Sequence, residues 1–236
     1  MLPEKLRALF RRDRHAFPAG ASPVAASPAP SPGVLSPRRT AAETGPITRH
    51  SRGMEQFFFN IRDHVGLTVL DFAGASQDNI MFLTSLGHRV YSEDLLRGIQ
   101  DTFGPDPAGQ LNVSQIDYFL RSHFDYPSGT FDGVLLWDSL QFMGPALLSA
   151  TVDRLHEIMR PQSYLLAYFT ANEKMTEVPS HMFRIADHKT VQITDRGMRH
   201  SGQVFNNRNI EKIFARFDSV KFFLSKENLR EVIVRR

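Results

Sequence analysis

Apolar residues follow two habits along this chain. In some stretches they form short continuous runs, and in others they recur every third or fourth residue. Continuous runs mark strands buried on both faces, and the three-to-four spacing marks helices with one covered face. The runs fall at 67–72, 131–137 and 163–169, each bounded by polar or turn-forming residues, and 88–91 reads as a short second strand. The helical spacing falls at 54–64 (Phe57, Phe58, Ile61), 76–86 (Ile80, Leu83, Leu86), about 95–103, 146–159 (Leu147, Val152, Leu155, Ile158) and 207–217. Gly87 is placed to stop the second of these helices, and Arg160-Pro161 breaks the fourth.

Strand alternating with helix, each strand apolar throughout, predicts a parallel sheet with helices on both faces. The rhythm changes at the end of the chain. Residues 220–224 and 231–234 read as two strands joined by so few residues that only an antiparallel hairpin is possible. Ahead of all this, 1–15 is a basic stretch able to form a short helix (Leu2, Leu6, Leu9 and Phe10 on one side). Residues 16–50 are rich in Pro, Ala and Ser and read as a disordered linker, with order expected from Gly53 to Arg236.

Charge sharpens that division. Residues 1–52 carry nine Lys/Arg against three Asp/Glu, so the tail accounts for the basic balance of a chain whose net charge is +3. The folded body is slightly acidic, which does not indicate a nucleic-acid footprint. The basic tail is suited to an anionic membrane surface or a protein partner. There is no cysteine, which excludes disulfides, thiolate metal sites and cysteine nucleophiles. No segment approaches a membrane span or a secretory signal, so the expected compartment is the cytosol. No metal-ligand spacing is present.

In open α/β sheets, ligands bind outside the carboxyl ends of the strands. That rule points to the loops after Phe72, Tyr91, Leu120 and Trp137. In the first, Asp71 is followed by Phe72, Ala73, Gly74, Ala75 and Ser76, small residues that let a backbone approach a ligand and present helix N–H groups to it. After the second strand come Glu93 and Asp94, where a carboxylate can accept hydrogen bonds from the two hydroxyls of a ribose.

The stretch from Val69 to Ser76 resembles the first motif of class I S-adenosylmethionine (SAM)-dependent methyltransferases. Asp94 matches that family's ribose-binding acid in spacing, with Gly87 and Val90 also in place. The run from Phe131 to Leu140 is similar to the family's fourth-strand motif, and 159–166 resembles its helix end and fifth strand. The resemblance covers about 53–236. It implies a Rossmann-like methyltransferase domain, a doubly wound, seven-stranded, mostly parallel sheet ending in an antiparallel hairpin. It also implies SAM as cofactor, held by Asp71, Ala73, Gly74, Ala75, Glu93, Asp94, Trp137 and Asp138. The chain departs from the pattern where Ala73, Ala75 and Gln77 replace glycines of the loop. Ser122 or its neighbours stand where an adenine-contacting Asp is common.

The function implied is methyl transfer to a small-molecule acceptor. No fixed catalytic residue follows from the fold, since transfer from a sulfonium needs alignment first and a base only for some acceptors. The acceptor pocket is expected between the helix near 54–59 and the segment 170–205. That segment holds three candidate bases, His181, His188 and His200, and its aromatics Phe183 and Phe205 suggest a partial cover over the site. The alternative is a catalytically silent methyltransferase-like binding or scaffold protein. A nicotinamide oxidoreductase ranks last, because Gly74-Ala75-Ser76-Gln77 does not supply Gly-x-Gly-x-x-Gly.

Overall fold

A computed structural model describes residues 45–225 and 228–236, all within one compact unit, 39–236. The readings of 1–15 as a basic helix and of most of 16–50 as linker lie outside the described residues. The last part of that linker range is corrected: Ile47–His50 is a strand, β1.

Helix α1 (Arg52–Ile61) begins where Ser51 accepts the Met54 N–H, and it buries Met54, Phe57, Phe58 and Ile61. The alternation read from the sequence then appears: β2 (Thr68–Asp71), α2 (Gln77–Ser85), β3 (Arg89–Ser92) and α3 (Leu95–Phe103), followed by α4 (Val113–His123), β4 (Phe131–Trp137), α5 (Pro145–Ile158) and β5 (Met159–Thr170). Next comes a hairpin of two long strands, β6 (Glu177–Ile185) and β7 (Thr190–His200). The chain closes with α6 (Asn207–Ile213), β8 (Ser219–Leu224) and β9 (Leu229–Arg235).

The main sheet has six strands in the order β3-β2-β4-β5-β9-β8. The first four run parallel, and β9 is antiparallel to both β5 and β8, as the short C-terminal join requires. The expected seventh strand is absent among the described residues, and β3 is the edge. The loop expected after a strand at Leu120 is instead part of a helix: Asn112 caps α4 by accepting from Ser114 and Gln115, and Leu120 lies inside it. Beyond α4, Pro127 and Gly129 leave no apolar run before β4 begins.

Alternate residues of the central strands face opposite layers. Leu70, Val134, Leu136, Leu165, Val232 and Val234 pack with α3, α4, α5 and α6. On the other face, Val69, Leu135, Trp137, Leu166, Tyr168 and Ile233 pack with α1, α2 and the inner side of the β6–β7 hairpin. The hairpin forms a second sheet with β1, in the order β1-β7-β6. This small sheet lies over the carboxyl ends of β2 and β4, where Phe183 stacks on Trp137 at 5.1 Å and 10°. Among the described residues no helix is long and apolar enough to cross a membrane.

Candidate functional site

Strand β2 ends at Asp71, a fully buried carboxylate. Its Oδ1 accepts from Trp137 Nε1 at 2.6 Å and from the Ala73 N–H at 3.1 Å. Its Oδ2 accepts from Asn79 Nδ2 at 2.8 Å. Burial pushes the Asp71 carboxyl above the usual carboxylate range, and these hydrogen bonds offset part of that rise. Asn79 passes the linkage on, because its Oδ1 accepts the Ile185 N–H of the hairpin at 2.7 Å. The strand end, the first turn of α2 and the covering hairpin are thus joined through one amide side chain. Asn79 went unnoticed in the sequence, where it reads only as an early helical position.

The small-residue loop does meet the second acid. Ala73 and Asp94 form an isolated antiparallel bridge, and the Gly74 N–H donates to the Glu93 carbonyl at 3.0 Å. Gly74 has φ 84°, and a Cβ there would stand 3.3 Å from Asp94 Oδ2. Both the backbone conformation and the nearness of the acid therefore favour glycine. Asp94 caps α3 by accepting the Arg97 N–H at 3.0 Å. Glu93 turns away to the α4 side, facing Tyr126 Oη at 3.2 Å and His123 Nδ1 at 3.4 Å. That neighbour, together with burial, raises the Tyr126 phenol above its ordinary range, burial being the larger cause.

At the end of β4, Trp137 adopts φ 54°, a left-handed conformation costly for a bulky side chain. Its ring is inside, hydrogen-bonded to Asp71 and sandwiched near Phe183 and Tyr168, rather than lying on the loop as a lid. Asp138, next in the chain, is buried and points at the hairpin. Its Oδ2 accepts the His181 backbone N–H at 2.9 Å and faces His181 Nδ1 at 3.2 Å. Burial raises the Asp138 carboxyl, while its hydrogen bonds to His181 lower it.

Asp71, Ala73, Gly74, Asp94, Trp137 and Asp138 therefore gather at one place, with Glu93 directed elsewhere. Ala75 leads directly into the α2 cap, where Ser76 accepts the Asn79 N–H. Of the three candidate bases, only His181 reaches this place. His188 is exposed beside α1, and His200 pairs at the surface with Glu177 at 3.6 Å. Phe183 does cover the site, whereas Phe205 packs on Phe169 on the opposite layer. Ser122 is exposed on α4.

Space divides the region in two. The hollow bounded by Ala73, Asp94, Trp137, Asp138 and Phe183 has a free volume of only about 10 Å³. On the far side of His181 lies a cleft of about 480 Å³ between the hairpin, β1 and the ends of β5 and β9. Ligand sites generally need about 300–1,000 Å³. As arranged, the strand-end frame suits a nucleoside cofactor in its acids and small-residue loop, and the room beside it does not fit one. This cleft is lined from the 170–205 segment but not from α1; Glu55, Phe58 and Phe59 of α1 instead line, with His188, a separate pocket of about 420 Å³.

No family model and no curated protein matches the chain. Among solved structures it is similar to a 1,6-didemethyltoxoflavin-N1-methyltransferase from Burkholderia thailandensis with S-adenosylhomocysteine bound, at 12% identity and TM-score 0.44, over 78% of each chain. It is also similar to the N-methyltransferase NodS from Bradyrhizobium japonicum, in complex with S-adenosylhomocysteine. There the identity is 10% and the TM-score 0.41, over 78% of this chain and 85% of that one. A third is a SAM-dependent methyltransferase from Bacteroides fragilis, at 12% identity and TM-score 0.44, over 77% and 76%. By its own strand order the fold is α/β, four parallel strands closed by an antiparallel pair.

Proposed function

We propose that this chain is a SAM-dependent methyltransferase acting on a small-molecule acceptor. The observation that carries the reading is the meeting of Asp94 with the Ala73-Gly74 loop just beyond the buried Asp71. Two strand-end acids and a close-approach loop converge there on the end of a parallel sheet, where such folds bind nucleosides. Asp94 is the residue proposed to hold the ribose, and Asp71 the residue that fixes the loop through the Ala73 N–H.

A second reading, a catalytically silent domain of the same fold, is favoured by the closed hollow: Trp137 and Phe183 fill the room a cofactor needs. The two readings differ in whether the hairpin lifts. In the first, SAM binding displaces Phe183 from Trp137; in the second, the stack is permanent.

Calorimetric titration of the full chain with SAM separates them, with Asp94→Asn as the control. Asparagine also caps helices well, so this change removes the charge while sparing α3. Saturable binding that weakens at least tenfold in Asp94→Asn supports the enzyme. A folded protein that takes up no SAM at millimolar concentration leaves the silent domain.

A further inference from the structure

The open cleft beyond His181 is a second feature with its own chemistry. Its walls are largely apolar, with Ile47, Met175, Pro179, Ile193 and Leu229 among them, and its volume lies within the range of small-molecule sites. Polar side chains on the walls are mostly engaged elsewhere. Thr170 Oγ1 donates to Gln141 Oε1, Asn172 Oδ1 accepts the Lys174 N–H, and Arg49 is paired with Glu231 and Ser225.

His181 is the residue shared by the cleft and the closed hollow. Its position follows from an irregularity in the hairpin. Pro179 pairs with Met198, but His181 pairs with Asp195, so Arg196 and Gly197 together face the single Ser180. Gly197 takes φ 91° to make this possible. Such a bulge bends the ribbon and re-aims the side chains beside it. The backbone N–H and Nδ1 of His181 then both meet Asp138 Oδ2. An ionised Asp138 carboxylate only accepts, so in that state the proton between it and the neutral ring belongs to Nδ1. The other ring nitrogen, Nε2, is left as a hydrogen-bond acceptor. Across the strands from His181 stands Asp195, also an acceptor, with one oxygen turned to the Gly197 N–H.

We propose that this cleft binds a small, mostly apolar molecule carrying one acidic O–H or N–H, which donates to His181 Nε2. It rests on the methyltransferase reading only in that the ligand is then the acceptor; the binding itself requires no cofactor. Asp138 is a positioning residue, holding the ring by the tautomer and orientation just described.

The test uses phenol and anisole, which share a ring and differ in the donor, followed by ligand-observed NMR on the full chain without SAM. Phenol is expected to bind saturably in the millimolar range and at least tenfold more tightly than anisole, although anisole is the more apolar of the two. His181→Phe, which keeps a flat ring and removes the acceptor, is expected to erase that preference. Met175→Trp, a change on an exposed loop, is expected to weaken both ligands tenfold by narrowing the cleft. Asp138→Asn retains an oxygen for both His181 hydrogen bonds and is expected to keep the preference, whereas Asp138→Ala loses it. If Asp138→Ala fails to fold, His181→Phe decides. The proposal is overturned if phenol does not bind the folded protein, if it binds no better than anisole, or if the His181→Phe or Met175→Trp protein behaves as the parent does. Absence of SAM binding in the separate calorimetric titration would remove the acceptor role and leave these outcomes unchanged.

Discussion

Two hollows meet at His181, and they are built in opposite ways. The one at the ends of β2 and β4 has every hallmark of position, lying where a parallel sheet offers its strand ends and helix N-termini. It is nevertheless filled, by an indole hydrogen-bonded to Asp71 and a phenyl ring laid on it from the hairpin. The other lies off the sheet axis and is made of a β-ribbon and strand edges, and it is open. The difference teaches that location on a fold and room for a ligand are separate properties. The parallel sheet determines the first. The β6–β7 hairpin, an addition to the plain alternation, determines the second.

The comparison is sharpened most strongly by removing the ring that closes the first hollow. Phe183→Ala is expected to cost about 3–5 kcal/mol of stability, because a fully buried aromatic ring is deleted. In the same variant SAM should bind more tightly than in the parent, since less must be displaced. Thermal unfolding and calorimetry measure the two effects, and a loss of stability without tighter binding would favour the permanently closed reading.

A change of comparable size is expected on the side of the open cleft. Glu231 is buried and accepts from Arg49 Nη2 at 3.0 Å, from Ser51 Oγ at 2.9 Å and from the Gly53 N–H. This carboxylate ties β1 and the start of α1 to β9. Glu231→Ala leaves a buried guanidinium and an N–H without it, which should cost about 3–5 kcal/mol in denaturant unfolding. A cost under about 1 kcal/mol would mean that water replaces the carboxylate and that β1 is not anchored this way.

Asn79 connects the two layers more modestly. Asn79→Ala removes the hydrogen bonds to Asp71 and to the Ile185 N–H, with an expected cost of about 1–3 kcal/mol. Amide exchange in 177–185 should quicken relative to that in β4. Uniform exchange across both would show that the hairpin is not held through Asn79.

The smallest effect is a slope with pH. Asp71 carries a folded-state pKa raised above 3.8 by burial. The folded state therefore binds its proton more tightly than the unfolded chain does. The resulting stability is fully present below pH 3.8 and is lost as pH rises through the raised folded value. Asp71→Asn should flatten that part of the stability profile, measured by denaturant titration from acid to neutral pH. An unchanged slope would assign it to other groups, Asp138 first among them.

The centre of the sheet was legible because β2 and β4 are buried almost throughout on both faces, and apolar runs such as 133–137 mark them. Asp71 was legible as the acid closing such a run, and Asp94 by its spacing after the short second strand. The expectation of seven strands failed in the stretch between α3 and β4, where Asn112 starts a helix and no apolar run follows it. The hairpin was hidden by its own irregularity. Inward residues of β6 are Val178 and Ser180, then Phe183 and Ile185, so the period-two signal changes phase at the bulge. On β7 charged and polar residues dominate an exposed ribbon, and β1 is polar for the same reason. Asp138 directly follows β4, but its partner His181 is distant in sequence. Nothing local distinguished that histidine from His188 and His200.

The most direct test of the account uses Trp137, the only tryptophan in the chain, which stands between the closed hollow and the ring that closes it. Its fluorescence should be followed as SAM is added to the full-length protein. A saturable change in emission, with an apparent affinity that matches calorimetry and weakens in Asp94→Asn, is the predicted result. Emission that stays constant to millimolar SAM in a folded protein, with no heat of binding, would contradict it and leave an α/β domain whose strand-end hollow is permanently closed.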